Sequence, residues 1–202
     1  MSNPFKVVAE FEAALCEYTG APYAVTVNSC TMALLLAVKH EMTNYHYPRI
    51  ISIPKRTYVS VPMSIIHAGG KVRFRNEKWS GLYRLEPLPV WDCARYFTQD
   101  MYMPGQLMCV SFHTTKILGD TQGGAILLDN EEAYNWLKRM RFDGRTEGVP
   151  PHLDAITEVG FHAYMSPDVA ARLLHKLNVL PAHNAPLENS HYPDLSQYEI
   201  FK

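Results

Sequence analysis

Short apolar runs rich in β-branched residues alternate with stretches of helical period along most of this chain, and that alternation constrains the fold more than any other feature. Pro4, set to follow a cap at Ser2 or Asn3, opens a predicted helix. Val8, Phe11, Leu15 and Tyr18 then recur at three- and four-residue spacing until Gly20. Residues 23–28 predict a strand and Met32–Lys39 a helix. Ile50–Ile53 predicts a second strand, followed by a helix over Val59–His67 that Pro62 interrupts or kinks, and a third strand over Lys71–Arg75. Further strands are expected at Leu88–Trp91, Leu107–Phe112 and Ala125–Leu128, and helices over Glu131–Phe142 and Pro167–Leu180. Strands separated by helices predict an α/β fold with a mainly parallel, doubly wound sheet, whose ligand site lies at the carboxyl ends of its strands. The stretch Asn76–Pro87 is too short for a full strand-helix-strand unit. Residues 1–180 therefore read as one domain, and the proline-bearing, polar residues 181–202 as an extended C-terminal tail.

Charge and composition exclude several classes of function. With 19 Lys+Arg against 20 Asp+Glu, nothing pulls the chain globally toward nucleic acid or an anionic membrane, so neither is an expected partner. The longest apolar run, Met32–Val38, falls far short of the roughly 20 residues a membrane helix needs. Glu10 and Glu12 stand where a signal peptide would be apolar. Cys16, Cys30, Cys93 and Cys109 form no C-x-x-C pair and read as reduced packing residues, which fits a cytoplasmic location. The histidines form no metal-binding spacing, so no metal is expected. Lys138, Arg139 and Arg141 read as a solvated helix face.

Four polar clusters fall at predicted strand ends. Ser29, Cys30 and Thr31 open a helix, where backbone N–H groups and hydroxyls suit a phosphate or carboxylate, or where Ser29 simply caps the helix. Asp92 directly follows an apolar strand and can pair with a cationic ring nitrogen or a metal, or merely cap the next helix. Lys116 lies five residues past the strand-end Ser111 and is either a Schiff-base nucleophile or a solvated surface lysine. A glycine turn from Gly119 to Gly124 then re-enters the core. With the aromatic Tyr58 after Thr57, these clusters together supply an anion cradle, a ring-stacking residue, a pyridinium partner and an amine, which is what pyridoxal 5'-phosphate requires.

On these residues the sequence resembles the DegT/DnrJ family of PLP-dependent sugar aminotransferases, of the aspartate aminotransferase-like fold. The matching stretches, in the family's order, are residues 11–25, 28–34, 53–59, 92–94 and 111–116, then Gly123 with Gly124. Residues 141–144 and 160–165 correspond more loosely. The resemblance implies an aminotransferase that takes a small-molecule amino donor and a keto or aldehyde acceptor. In it Lys116 bonds the cofactor and Asp92 pairs with the ring nitrogen, while Tyr58 stacks on the ring. Ser111 and Thr31, with the backbone at Ser29, Cys30 and Thr31, hold the phosphate. Arg95 falls beside the ring oxygen, and His162 at the position that reaches the phosphate of a neighbouring subunit, implying a homodimer with shared sites. Cys30 replaces the family's glycine, Arg95 its Gln or His, Gln122 an acid and Tyr164 an arginine. The resemblance also implies a shortened form lacking the C-terminal small domain. Two alternatives remain open: another PLP reaction (decarboxylation, elimination or isomerisation) and a non-catalytic binding or assembly module.

Overall fold

The computed structural model describes residues 5–45, 49–188 and 191–201, so the expected caps Ser2 and Asn3, with Pro4, lie outside the described residues. Helix α1 (Lys6–Thr19) ends as expected at Gly20, whose left-handed φ of 77° lets its N–H close on the Cys16 carbonyl. Strand β1 (Tyr23–Val27) leads into α2 (Cys30–Asn44), which runs a turn past the expected end and is apolar on most sides because it is buried on most sides. Next come β2 (Ile50–Pro54), α3 (Ser60–His67) and β3 (Lys71–Arg75). Pro62 falls in the first turn of α3, where its missing N–H has no intrahelical acceptor to lose, so the helix is continuous rather than kinked. The chain continues through β4 (Tyr83–Leu85), β5 (Val90–Asp92), β6 (Leu107–Ser111), β7 (Gly124–Leu128), α4 (Glu131–Met140) and α5 (Pro167–Leu177).

The fold is α/β as expected, but its sheet is mixed rather than mainly parallel. Five strands pair in the order β1-β7-β6-β5-β4, with only β5 and β6 parallel. Strands β2 and β3 form a separate parallel pair. It joins the main sheet where Ser52 and Glu86 exchange backbone bonds of 2.7 and 3.0 Å. Connection length explains the directions. Helix α3 carries β2 over to β3, so these run parallel. Residues 86–89 allow only a hairpin between β4 and β5, and residues 112–123 contain no helix, so β7 returns antiparallel to β6.

Alternation along the strands divides the core into two. Val25, Val27, Cys109 and Ile126 face α2, α3 and α4, whereas Ala24, Met108, Val110 and Leu127 face α1 and α5. The C-terminal segment is tied down, and it ends in two 3-10 turns, Leu195–Gln197 and Glu199–Phe201. Pro181 accepts from the Tyr18 hydroxyl at 2.6 Å and Leu187 bonds Arg95, while Leu195 and Phe201 are buried near β2 and β3.

Arg141 overturns the reading of its run as a solvated face: only 1% of it is exposed. Its guanidinium bonds Glu12, the Thr26 carbonyl and Glu147, and Lys138 bridges Glu12 and Glu147 at 3.1 and 2.8 Å. Burial alone would push the Glu12 carboxyl up, but the Arg141 and Lys138 charges and the Thr26 N–H outweigh it and hold the group below its ordinary range. Its contribution to stability is thus complete above the unfolded carboxyl range and lost as pH falls through the lower folded value. Arg141→Leu leaves that carboxylate buried without its main partner and should cost about 3–5 kcal/mol in urea unfolding. Arg141→Leu with Glu12→Leu should recover much of the loss; an additive double variant would show that the pair does not interact.

Candidate active site

The phosphate-suited turn is built by the junction of β1 and α2. Ser29 is extended and caps the helix: its hydroxyl accepts from the Met32 N–H at 3.2 Å and donates to Asn28 Oδ1 at 3.2 Å. The N–H groups of Cys30 and Thr31 are left without an acceptor among the described residues, at the positive end of a largely buried helix. The Cys30 thiol turns inward to the Cys109 carbonyl at 3.7 Å. Thr31 donates its hydroxyl to Ser60 at 2.8 Å, which brings in a second hydroxyl that the sequence did not single out. Gly124 pairs with Ser111 in the ladder, and a side chain on Gly124 would come within 2.5 Å of the Cys30 nitrogen. Ser111 is thereby carried to the start of α2.

Asp92 ends β5 with 5% of its surface exposed. Its Oδ1 accepts from the Ala94 N–H at 2.9 Å and its Oδ2 from the Tyr83 hydroxyl at 2.8 Å. Burial pushes this carboxyl up; the Ala94 and Tyr83 bonds and the Lys116 charge oppose the rise without cancelling it. A carboxylate has about four acceptor positions, so two remain after these donors.

Lys116 is half-buried on the loop between β6 and β7, and its charge acts on both Asp92 and Cys30. The loop is pinned on its far side. Asp120 pairs with Arg172 and Lys176 of α5 at 2.8 Å each, and Lys176 also bonds the Gly119 carbonyl at 2.7 Å. Burial would raise the Asp120 carboxyl, but those two cations hold it at about 2. The structure thus brings Ser29, Cys30, Thr31, Ser111, Lys116 and Asp92 together.

The remaining expected residues stand at the margin. Tyr58 is 58% exposed on the turn between β2 and α3, beside the buried Thr57. The Arg95 side chain turns to the Leu187 carbonyl at 3.4 Å. His162 is exposed and bonds Asp143 at 2.9 Å; its neighbour Ala163 accepts from the Asn28 N–H, which ties that segment to the phosphate turn. Sequence reasoning missed Tyr83 because a three-residue strand carries almost no periodic signal.

The donor set fits pyridoxal 5'-phosphate: unpaired N–H groups and hydroxyls for the phosphate, a buried acid for a cationic ring nitrogen, and an amine within reach of that acid's field. The architecture is the one shared by sugar aminotransferases of known structure. It superposes on the enzyme from Micromonospora echinospora with a TM-score of 0.74 at 20% identity, covering 87% of this chain and 61% of that one. For the Helicobacter pylori aminotransferase involved in pseudoaminic acid biosynthesis the TM-score is 0.71 at 19% identity, covering 86% and 57%. The model of the DegT/DnrJ/EryC1/StrS aminotransferase family matches residues 2–77 and 94–190, and the chain belongs to that family. A curated relative from Campylobacter jejuni, UDP-4-amino-4,6-dideoxy-N-acetyl-beta-L-altrosamine transaminase, is 26% identical over 83% of the chain. The match spans only 55% of that relative's length.

Gly124→Ala tests the contact that shapes the cradle. The added methyl meets backbone rather than a flexible side chain, so α2 must shift. We expect at least a tenfold loss of PLP affinity by fluorescence titration, and unchanged affinity would show that the close approach is not required.

Proposed function

We propose that the protein is a PLP-dependent aminotransferase that moves an amino group from an amino-acid donor to a keto or aldehyde acceptor, the acceptor being a sugar derivative. The observation that supports this most strongly is a nine-tenths buried carboxylate, Asp92, at a strand end whose neighbouring loop carries a lysine, Lys116, that acts electrostatically on both it and Cys30 at the start of α2. The transaminase activity for which the C. jejuni relative is named supports the choice of a sugar acceptor.

In this reading the Cys30 and Thr31 N–H groups, with the Thr31 and Ser111 hydroxyls, bind the phosphate, and Ser29 holds their turn in shape. Tyr58 covers one face of the ring. When bound, the cofactor supplies an electron sink for the carbanion formed at the donor's α-carbon. Asp92, kept ionised, holds the proton on the ring nitrogen, without which that sink is weak. The Lys116 amine anchors the cofactor at rest. Once freed by the donor's amino group, Lys116 Nζ would serve as the base that takes the proton from the donor α-carbon and holds it for return on the cofactor side of the donor nitrogen. Arg95, one residue past the Ala94 that bonds Asp92, bonds the Leu187 carbonyl here and would bring its positive charge to the ring oxygen on giving up that bond.

We further propose a homodimer with shared sites. Leu153, Ile156 and Val159 are 70, 59 and 91% exposed on the loop that leads into His162, an apolar patch for a second copy to cover. His162 would then reach the partner's phosphate. Four free thiols fit a reducing, cytoplasmic setting. No described helix is long and apolar enough to cross a membrane.

Protein incubated with PLP should show a visible absorption band, and borohydride should fix the cofactor's mass on the peptide containing Lys116. Lys116→Ala should show neither. Asp92→Asn should still bind PLP yet lose about two orders of magnitude or more in turnover; full turnover would contradict the role given to Asp92. Sedimentation should give a dimer, and a monomer with full PLP affinity would rule out the shared site.

A further inference from the structure

We propose that Tyr83 and Thr57 act as positioning residues: a hydrogen-bond relay from Thr57 through Tyr83 to Asp92 fixes that carboxylate in the site and keeps it charged. The catalytic meaning of the relay rests on the reading of Asp92 as the partner of a cationic ring nitrogen. Tyr83 sits directly opposite Asp92 in the antiparallel pair of β4 and β5, and its hydroxyl lies 2.8 Å from Asp92 Oδ2. The Thr57 hydroxyl lies 2.6 Å from the same tyrosine oxygen. Tyr83 and Thr57 are 3% and 1% exposed, so both hydroxyls sit out of bulk solvent.

Proton counting sets the direction. An ionised Asp92 only accepts, so the single Tyr83 proton goes to it, and Thr57 must donate to the tyrosine oxygen. A donor whose own oxygen accepts a hydrogen bond is a stronger donor, so Thr57 reinforces the Tyr83 bond. In a buried site such a bond favours the charged carboxylate over the neutral acid, against the desolvation that favours the acid.

The same segment also fixes the turn that presents Tyr58. Trp79 packs edge-on against Tyr83, with ring centroids 4.7 Å apart, and its indole N–H donates to the Arg56 carbonyl at 2.8 Å. Residues 79–83 therefore grip Arg56 and Thr57 from one side and Asp92 from the other. They set the ring-stacking residue and the nitrogen partner at a fixed separation. Tyr83 and Asp92 lie between the two stretches matched by the family model, whereas Thr57 lies within the first of them.

The other titratable groups facing Asp92 are the Lys116 amine and the thiols of Cys93, Cys30 and Cys109, and burial pushes all three thiols well above their usual range. The thiols stay neutral near pH 7.

The test is a carbon NMR titration of the Asp92 carboxyl in the cofactor-free full chain, with Asp92→Asn assigning the signal. Tyr83→Phe keeps the ring against Trp79 and removes only the hydroxyl. It should raise the Asp92 midpoint by about one to two pH units, the size expected for one hydrogen bond to a charged group. Thr57→Val, nearly the same shape, should raise it by less and in the same direction. It serves as the second variant should Tyr83→Phe fold poorly. In PLP-loaded protein the ring-nitrogen NMR signal should move toward the unprotonated position in Tyr83→Phe. A purely packing role for Tyr83 predicts no movement of either signal. Unchanged Asp92 midpoints in both variants would overturn the relay. A raised midpoint in a protein that takes up no PLP would uphold the relay and refute the proposed function instead.

Discussion

Strand β7 and helix α2 begin so close together that a single methyl group on Gly124 would fall 2.5 Å from the Cys30 nitrogen and 2.6 Å from the Ser29 carbonyl carbon. Much of the site depends on that contact. Because Ser111 pairs with Gly124, the end of β6 is held beside the helix start as well. The loop from β6 to β7 must then leave and return over the same point, and its inner ladder bond, Phe112 to Gly123 at 2.9 Å, keeps its base narrow. Lys116 is carried by that loop, and its charge consequently reaches Cys30 and Asp92 together. A helix buried on most of its sides presents its positive end with little solvent screening, which makes its unpaired N–H groups effective toward an anion.

The sheet shows how the length of a connection decides the direction of a strand. The two parallel pairs, β2 with β3 and β5 with β6, have connections long enough to cross over. Between β4 and β5 only residues 86–89 intervene, so no crossover fits, and β4 is laid down as one arm of a hairpin against β5. Tyr83 therefore points its hydroxyl at Asp92 from the neighbouring strand. The hairpin has in this way placed a hydrogen-bond donor on the buried acid at the centre of the site.

Local chemistry made much of this legible in the sequence. Gly20 ends α1 and Ser29 caps α2, as read from the sequence. These are short-range effects that single residues announce. The strand-end acid and the serine-then-lysine loop were readable because a strand followed by a turn fixes which residues emerge at its end. Long-range pairing was not readable in that way. Nothing local tells that Arg141 will find Glu12, 129 residues earlier, and be buried with it rather than solvated. Nor does a polar, proline-bearing stretch reveal that Leu195 and Phe201 will anchor the C-terminal segment beside β2 and β3. Tyr83 and Ser60 escaped for the same reason: each matters only through a partner on another element.

The central claim is that Lys116, Asp92 and the start of α2 converge on one cofactor. A crystal structure grown with pyridoxal 5'-phosphate tests it most directly. The account predicts electron density continuous with Lys116 Nζ, the ring nitrogen within hydrogen-bond distance of Asp92, and the phosphate on the Cys30 and Thr31 N–H groups beside Ser111. Density bound elsewhere, or a phosphate held away from the start of α2, would contradict it.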